Sequence, residues 1–100
     1  MVEYKKGYFA RSLSGHDKGK LYIIIEGTKE TGTEDYVYLT DGRLKTLDKP
    51  KKKKVKHIQV IHTCEKKLES LIANGEPIRD EDIKYAIKSY EKTYNNVGSK

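Results

Sequence analysis

Residues 14–27, which read "SGHDKGKLYIIIEG", carry the clearest signal for the fold. A polar turn containing glycine leads into an apolar, largely β-branched segment that ends at Gly27, as expected of a buried strand. The preceding segment, "GYFARSL" (7–13), alternates bulky and polar residues, which is typical of a strand with one buried face. We therefore predict two strands joined by this turn, with Gly15 and Gly19 supplying the backbone freedom that it needs.

Patterns with a period of two continue after this pair of strands. The segment "DYVYLTDGRLKTLD" (35–48) places Asp41-Gly42 between two strand-like runs, and Asp-Gly favours a tight hairpin because both central turn positions need positive φ. The segment "HIQVI" (57–61) supplies one more strand. Five short strands within residues 1–61 predict a small, strongly bent sheet or barrel, which exposes few strand edges.

The apolar period changes to that of helices in the C-terminal part of the chain. Asn74-Gly75 is a signal for a helix end, and the acidic run from Asp80 to Asp82 favours a second helix start. We expect a helical hairpin over residues 62–95, packed on or beside the barrel, and a disordered tail over 96–100. The predicted apolar faces are formed by Leu68, Leu71 and Ile72 in the first helix and by Ile83, Ala86, Ile87 and Tyr90 in the second.

The net charge of +6 is unevenly distributed along the chain. Residues 1–61 contain 14 Lys or Arg and 8 Asp or Glu, whereas residues 62–100 contain 7 of each. All of the excess positive charge therefore lies with the predicted strands. Such a concentration attracts polyanions, and nucleic acid is the first candidate among these.

The densest positive charge is found in "DKPKKKKVKH" (48–57), which has six lysines in ten residues. Because strand-like segments flank this run on both sides, we predict an exposed basic loop within the fold and not a free tail. Pro50 stiffens its start, and Lys51 to Lys54 cannot all point inward. Such a loop could grip the phosphates of a nucleic acid. The alternatives are a nuclear-import signal, which "PKKKKVK" resembles, and a merely solvated charge run.

The segment "SGHDKGKLYIII" (14–25) resembles a KOW motif, in which a strand ends, a glycine-rich basic turn follows and a second apolar strand begins. Together with "DGRLKTLDKPKKKKVKH" (41–57), it makes the chain similar to small bacterial KOW-domain proteins related to a large-subunit ribosomal protein family of archaea and eukaryotes. The resemblance covers residues 1–61. It implies an SH3-like barrel there and binding to RNA, with ribosomal RNA as the first candidate.

The turn and the lysine run contain residue types suited to binding phosphate. Glycine lets phosphate oxygens approach backbone N–H groups, and lysine and arginine side chains add positive charge around them. Gly15 and Gly19 could instead serve only the geometry of the turn. The residues predicted to bind RNA are Arg11, His16, Lys18, Lys20, Arg43, Lys45, Lys49, Lys51, Lys52, Lys53, Lys54, Lys56 and His57.

Four of the eight tyrosines, Tyr8, Tyr22, Tyr36 and Tyr38, lie in predicted strands. An exposed tyrosine beside lysines can stack on an unpaired base. On a small barrel the same residue can cover the core with its hydroxyl in water. The sequence leaves both interpretations open.

The sequence gives little support for catalysis. His57, His62 and Cys64 are close in the chain, but their H-x4-H-x-C spacing matches no usual zinc site. A lone cysteine is commonly a small packing residue. We therefore predict no enzymatic activity, no cofactor and no metal. With one cysteine, no hydrophobic run long enough to span a membrane and no signal-peptide core, a cytoplasmic protein is expected.

The sequence thus predicts a mainly β protein with C-terminal helices, in which a small SH3-like barrel of the KOW type is followed by a two-helix appendage. Its expected function is non-catalytic RNA binding, associated with the ribosome or translation, through one basic face made by the turn and the lysine loop. The alternative is a protein-interaction module of the translation or transcription machinery that uses the C-terminal helices. An exposed apolar groove beside the helices would favour that alternative.

Overall fold

The computed structural model describes residues 4–28 and 36–98, with the side chains of Thr28 and of residues 95–98 left out of the description. Within this part of the chain, the predicted class of a mainly β protein with C-terminal helices is confirmed. The elements are β1 (Phe9–Ser12), β2 (Leu21–Thr28), β3 (Tyr36–Thr40), β4 (Lys51–Lys54), a 3-10 turn (Val55–His57), β5 (Ile58–Ile61), α1 (Lys66–Ala73) and α2 (Asp80–Gly98).

The five strands form one antiparallel sheet with the order β4-β3-β2-β1-β5. β4 and β5 are therefore its two edges, although the 3-10 turn joins them directly along the chain. No ladder of backbone hydrogen bonds connects these edges in the described residues, so the sheet is not closed into a barrel. The pairing of β2 with β3 shifts register between Ile24 and Glu26, and such irregularities increase the local bend of a strand.

The sheet carries an apolar core on each of its faces. On one face, side chains from four strands pack on one another, and no helix residue is among the buried members of this core. A single sheet can bury such a face only by bending around it, so we call this the inner face. Its buried apolar residues are Ala10, Tyr22, Ile24, Val37, Leu39 and Ile58.

The outer face of the sheet is partly covered by the two helices. The apolar face predicted for α2 packs here, against β1 and β2 of the same chain. Each large apolar side chain buried in such a core contributes about 1.5–3 kcal/mol relative to its exposed state. The buried residues of this second core are Phe9, Leu21, Ile23, Leu68, Ile83 and Ala86.

Acidic side chains lie at the start of both helices, as the sequence predicted for α2. Glu65 caps α1, because its carboxylate accepts hydrogen bonds from the backbone N–H groups of Lys67 and Leu68 at 3.0 and 2.9 Å. α2 starts with the acidic turn from Asp80 to Asp82, whose charges complement the positive end of the helix dipole.

The predicted end of α1 is also confirmed. Gly75 adopts a φ of +68°, and two backbone N–H groups after the helix donate to carbonyls of its last turn in a Schellman motif. α2 continues to Gly98, although a tail was predicted from residue 96. Residues 99 and 100 of that predicted tail lie outside the described residues. In the described part of the chain, no helix has the length and apolar character needed to cross a membrane.

The tight hairpin predicted at Asp41-Gly42 is wrong, because residues 41–50 separate β3 from β4. The Asp41 carboxylate accepts hydrogen bonds from the backbone N–H groups of Arg43 and Lys45, both at 2.9 Å. These bonds fold the following residues into a turn of their own. The two N–H groups are then not available to pair with β3.

The 41–50 connection packs against the start of α2. Leu47 donates its backbone N–H to Asp80 Oδ1 at 2.8 Å. Gly42 has a φ of +77°, and a Cβ atom there would lie 2.6 Å from the carbonyl oxygen of Asp80. Only glycine fits this approach without a shift of the backbone. The contact fixes the position of the connection relative to the helix.

We expect Gly42→Ala to lower the free energy of unfolding by at least about 2 kcal/mol, because backbone strain is added to a steric clash. Gly75→Ala is the matched control, since Gly75 also has positive φ but a Cβ there would meet nothing within 4 Å. Its cost should be about 1 kcal/mol, from strain alone. Urea unfolding measures both variants, and equal costs would show that the close packing of Gly42 on α2 is unimportant.

Candidate nucleic-acid interface

The turn between β1 and β2, residues 13–20, is held by its own hydrogen bonds. Gly15 and Gly19 lie in it with φ of +88° and +89°. The backbone N–H groups of Lys18, Gly19 and Lys20 all donate to carbonyl oxygens within the turn or at the end of β1. These three amides are therefore occupied, and the backbone contacts to phosphate that the sequence suggested are not available at these positions. Binding by this turn has to use its side chains.

Asp17 joins the turn to strand β4. Its Oδ1 accepts a hydrogen bond from Lys53 Nζ at 2.9 Å, and its Oδ2 lies 3.0 Å from Lys51 Nζ. The hydroxyls of Ser12 and Tyr22 each donate to the same carboxylate at 2.8 Å. The side chains of Asp17 and Lys53 are only 12% and 10% exposed. We call these five residues the Asp17 cluster; because Lys51 and Lys53 lie on an edge strand, it holds that edge against β1 and the turn.

The electrostatics of the Asp17 cluster favour the charged carboxylate. Burial alone would raise the pKa of Asp17, because it penalises the ionised form. The ammonium groups of Lys53 and Lys51 outweigh that penalty and, with the two hydroxyl donors, hold the pKa far below its ordinary value. Burial and the neighbouring carboxylate raise the pKa of Tyr22, so its hydroxyl remains a donor. The cluster therefore keeps its hydrogen bonds throughout the physiological pH range.

The four-lysine run forms strand β4, so the predicted exposed loop over residues 48–57 is wrong at Lys51–Lys54. Its register with β3 places Lys51 and Lys53 on the inner face, beside Leu39 and Val37. A lysine strand is tolerated there because the Asp17 carboxylate is in contact with both ammonium groups. Lys51 and Lys53 therefore stabilise the folded chain through their contacts with Asp17.

The other two lysines of β4 lie on the outer face beside tyrosines. Lys52 stands opposite Tyr38 and Lys54 opposite Tyr36 in the pairing of β3 with β4. Lys52 Nζ is 4.4 Å from the centroid of the Tyr36 ring, a cation–π contact. Both tyrosines are partly exposed, whereas Tyr22 is buried in the Asp17 cluster and cannot stack on a base. This patch combines aromatic and basic side chains, as surfaces that bind unpaired bases do.

A third ion pair joins the turn to the 41–50 connection. Lys20 Nζ lies 2.6 Å from Asp41 Oδ2. Burial would raise the pKa of Asp41, but the bond from Lys20 and those from the Arg43 and Lys45 amides lower it. Neither this carboxylate nor Asp17 was identified from the sequence as organising a site. The signal that could have identified Asp17 is its position as the only acid in a turn with basic residues on both sides.

Segments that are distant in sequence thus lie side by side at one end of the sheet. The backbone N–H of Leu13, in the turn, donates to the carbonyl of His57 at 2.8 Å, next to the contacts of the Asp17 cluster. Residues 11–20 and 41–57 together hold 11 Lys or Arg and 3 Asp, an excess of eight positive charges against +6 for the whole chain. We call these two segments the basic face.

The predicted RNA-binding residues divide into two groups by exposure. The exposed members are positioned to contact a ligand directly, whereas several of the partly buried members hold the scaffold. For example, Arg11 Nη1 donates to the carbonyl oxygen of Gly19 at 2.8 Å. The exposed group is His16, Lys18, Arg43, Lys49, Lys52 and Lys56, and the partly buried group is Arg11, Lys20, Lys45, Lys51, Lys53, Lys54 and His57.

His62 and Cys64, which precede α1, pack against neighbouring side chains. His62 packs edge-to-face on Tyr8, with ring centroids 5.4 Å apart. Burial raises the pKa of Cys64 to about 11, so its thiol is protonated at neutral pH and is a poor nucleophile. Among the described residues, no group of three or more His, Cys, Asp or Glu could hold a metal ion.

A scan against protein-family models finds no family that matches the chain, and a search of the curated proteins finds no significant match. The resemblance to the KOW motif therefore rests on residues 14–25 and on the basic segment at 41–57. A function for the basic face has to be argued from its own geometry and charge.

Proposed function

We propose that the chain is a non-catalytic RNA-binding protein of the KOW type that works with the translation machinery in the cytoplasm. The observation that carries the proposal is the basic face, where exposed cations lie on separate segments that Asp17 and Asp41 hold together through their ion pairs with partly buried lysines. Structured ribosomal RNA is the proposed partner, because a rigid basic surface recognises the shape of a sugar–phosphate backbone better than base sequence.

We also propose that the bent sheet is an SH3-like barrel. Three features support this type: the order β4-β3-β2-β1-β5, the 3-10 turn that links the two edge strands, and an inner core buried without helices. The Asp17 cluster then links edge strand β4 by side chains to β1 and the turn, with which β4 has no backbone pairing.

In this proposal the basic residues have two separate roles. The Asp17 cluster and the pair of Lys20 with Asp41 position the turn, β4 and the 41–50 connection relative to one another, and the exposed cations neutralise phosphates and release counterions. Tyr36 and Tyr38, beside Lys52, offer a surface on which an unpaired base at the edge of a structured RNA can stack.

The test removes exposed charge and leaves the Asp17 cluster intact. With Lys18, Lys52 and Lys56 all changed to Gln, the slope of log Kd against log salt concentration for a ribosomal RNA fragment should fall by about 2–3, since each phosphate contact contributes roughly 0.7–0.9. Affinity at physiological salt should fall by at least about tenfold. Filter binding or fluorescence anisotropy measures both quantities.

The matched control changes Lys66, Lys67 and Lys92 to Gln, three exposed lysines on the helices. This variant has the same net charge as the first, so it shares any general loss of electrostatic attraction. It should retain a slope close to that of the wild type. If both variants lose the same affinity and slope, binding reflects net charge alone and the basic face is not the RNA site.

The alternative, a protein-interaction module, depends on an apolar helix surface that is free to bind another protein. Ile83 and Ala86 of α2 are buried against the sheet, so the apolar face of this helix already has a partner in the same chain. One observation still favours the alternative. Leu44, in the 41–50 connection, is 79% exposed and lies beside a groove next to α2.

A further inference from the structure

A groove of about 470 Å³ lies between the β1–β2 turn, the 41–50 connection and the exposed side of α2. Four cationic side chains from these three elements line it: Lys20, Arg43, Lys84 and Lys88. Its two carboxylates are Asp41 and Glu91. Asp41 is already bonded to Lys20 and to two backbone amides, so its charge is locally compensated.

The walls of this groove are held in fixed positions. Gly42 lies so close to the start of α2 that a Cβ would be 2.8 Å from Lys84 Cγ and 2.6 Å from the Asp80 carbonyl. Leu47 adds a hydrogen bond to Asp80 at 2.8 Å. The backbone segments that carry the cations of the connection and of the helix are therefore fixed relative to each other before any ligand arrives, which lowers the entropy cost of binding.

The groove is continuous with the basic face. Lys20 belongs to both, as it ends the turn and also lines the groove, and Arg43 is an exposed member of the face. Lys84 and Lys88 are four residues apart on α2, so they lie one above the other about 6 Å apart along the helix axis. Two such charges can contact two phosphates along a single strand.

We propose that α2 extends the RNA-binding surface, with Lys84 and Lys88 holding the sugar–phosphate backbone of the same RNA that contacts the basic face. The inference rests on the proposed function and adds the helical part of the chain to it. A protein segment with carboxylates and an apolar side chain would be the competing occupant, because Leu44 and Ile87 also line the groove. Four cations against two carboxylates, and continuity with the basic face, favour RNA.

The experiment changes Lys84 and Lys88 to Gln in the full chain and measures binding of the ribosomal RNA fragment at several salt concentrations. The salt slope should fall by about 1.4–1.8 and Kd at physiological salt should rise by roughly tenfold. Both lysines are exposed, so the fold should be retained. The control, Lys66→Gln with Lys92→Gln, removes the same charge from outside the groove and should change the slope little.

Two results would overturn the inference. If RNA slope and affinity are unchanged in the groove variant while the Lys18, Lys52 and Lys56 variant loses binding, the RNA does not reach α2 although the basic face binds it. The groove would then be left to a protein partner. If neither variant affects RNA binding, the proposed function fails together with the inference, so the two failures can be told apart.

Discussion

Replacing Asp17 by asparagine is expected to lower the free energy of unfolding at neutral pH by about 3 kcal/mol, because it leaves partly buried ammonium groups without their carboxylate. For a domain of this size the midpoint of thermal unfolding should fall by roughly 12–24 °C. The unpaired charge of Lys53 accounts for most of this cost, since its side chain is only 10% exposed. Asp48→Asn removes an exposed carboxylate and is the control, with an expected effect within about 0.5 kcal/mol.

The same variant gives a specific pH dependence. The pKa of Asp17 is lowered in the folded chain, so its contribution is fully present above the unfolded pKa of about 3.9 and is lost as pH falls below it. The stability difference between wild type and Asp17→Asn should therefore be constant near neutral pH and shrink below about pH 4. A difference that grows with acid, or that is absent at neutral pH, would contradict the role given to the cluster.

Substitutions of the neighbouring residues Lys53 and Lys52 should affect different properties, stability in the first case and RNA binding in the second. Lys53→Gln is expected to destabilise the fold by about 2–3 kcal/mol, because a cation of the Asp17 cluster is lost, and to leave the RNA salt slope unchanged. Lys52→Gln is expected to cost less than about 1 kcal/mol, mainly the cation–π contact with Tyr36, and to lower the slope by about 0.7–0.9. Each variant serves as the control for the other.

Unfolding in urea and RNA titration at several salt concentrations measure the two properties on the same preparations. If Lys53→Gln folds as stably as the wild type, the inner-face contact does not support the fold. If Lys53→Gln and Lys52→Gln lower the salt slope equally, the lysines of β4 contribute alike to RNA binding whichever face of the sheet they lie on. Either outcome would remove the division between scaffold and ligand-binding lysines.

This division changes how the lysine run should be studied. Replacing all four lysines of β4 would remove both cations that contact Asp17, together with two outward side chains. Loss of RNA binding in such a variant could come from unfolding alone. Substitutions confined to Lys18, Lys52 and Lys56 avoid this problem, because none of the three belongs to the Asp17 cluster.

The parts of the fold that local patterns encode were predictable from the sequence. Most of the period-two segments became strands, although the predicted strand over residues 43–48 lies in the 41–50 connection, and the Asn74-Gly75 signal ended α1 where expected. These features depend on residues a few positions apart, as in the bond from Gly75 N–H to the carbonyl of Ile72. Interactions within a short window of sequence therefore determine these features.

The errors arose where distant contacts decide the structure. Lys53 and Asp17 are separated by 36 positions, so no local pattern indicates that they meet. Four identical lysines also have no periodicity, so the sequence predicts a loop where the structure has a strand. At Asp41-Gly42 a correct turn signal was assigned to the wrong turn, because the packing of Gly42 on α2 is not visible in the sequence.

The central claim is that the basic face binds structured RNA through its exposed side chains. The most direct measurement compares the wild type with the Lys18, Lys52 and Lys56 variant on a ribosomal RNA fragment and on duplex DNA of matched length, across several salt concentrations. We expect the wild type to bind RNA more tightly than DNA at physiological salt, and the slope for RNA to fall by about 2–3 in the variant. Weak binding of both nucleic acids by the wild type, with a slope that the three substitutions leave unchanged, would contradict it.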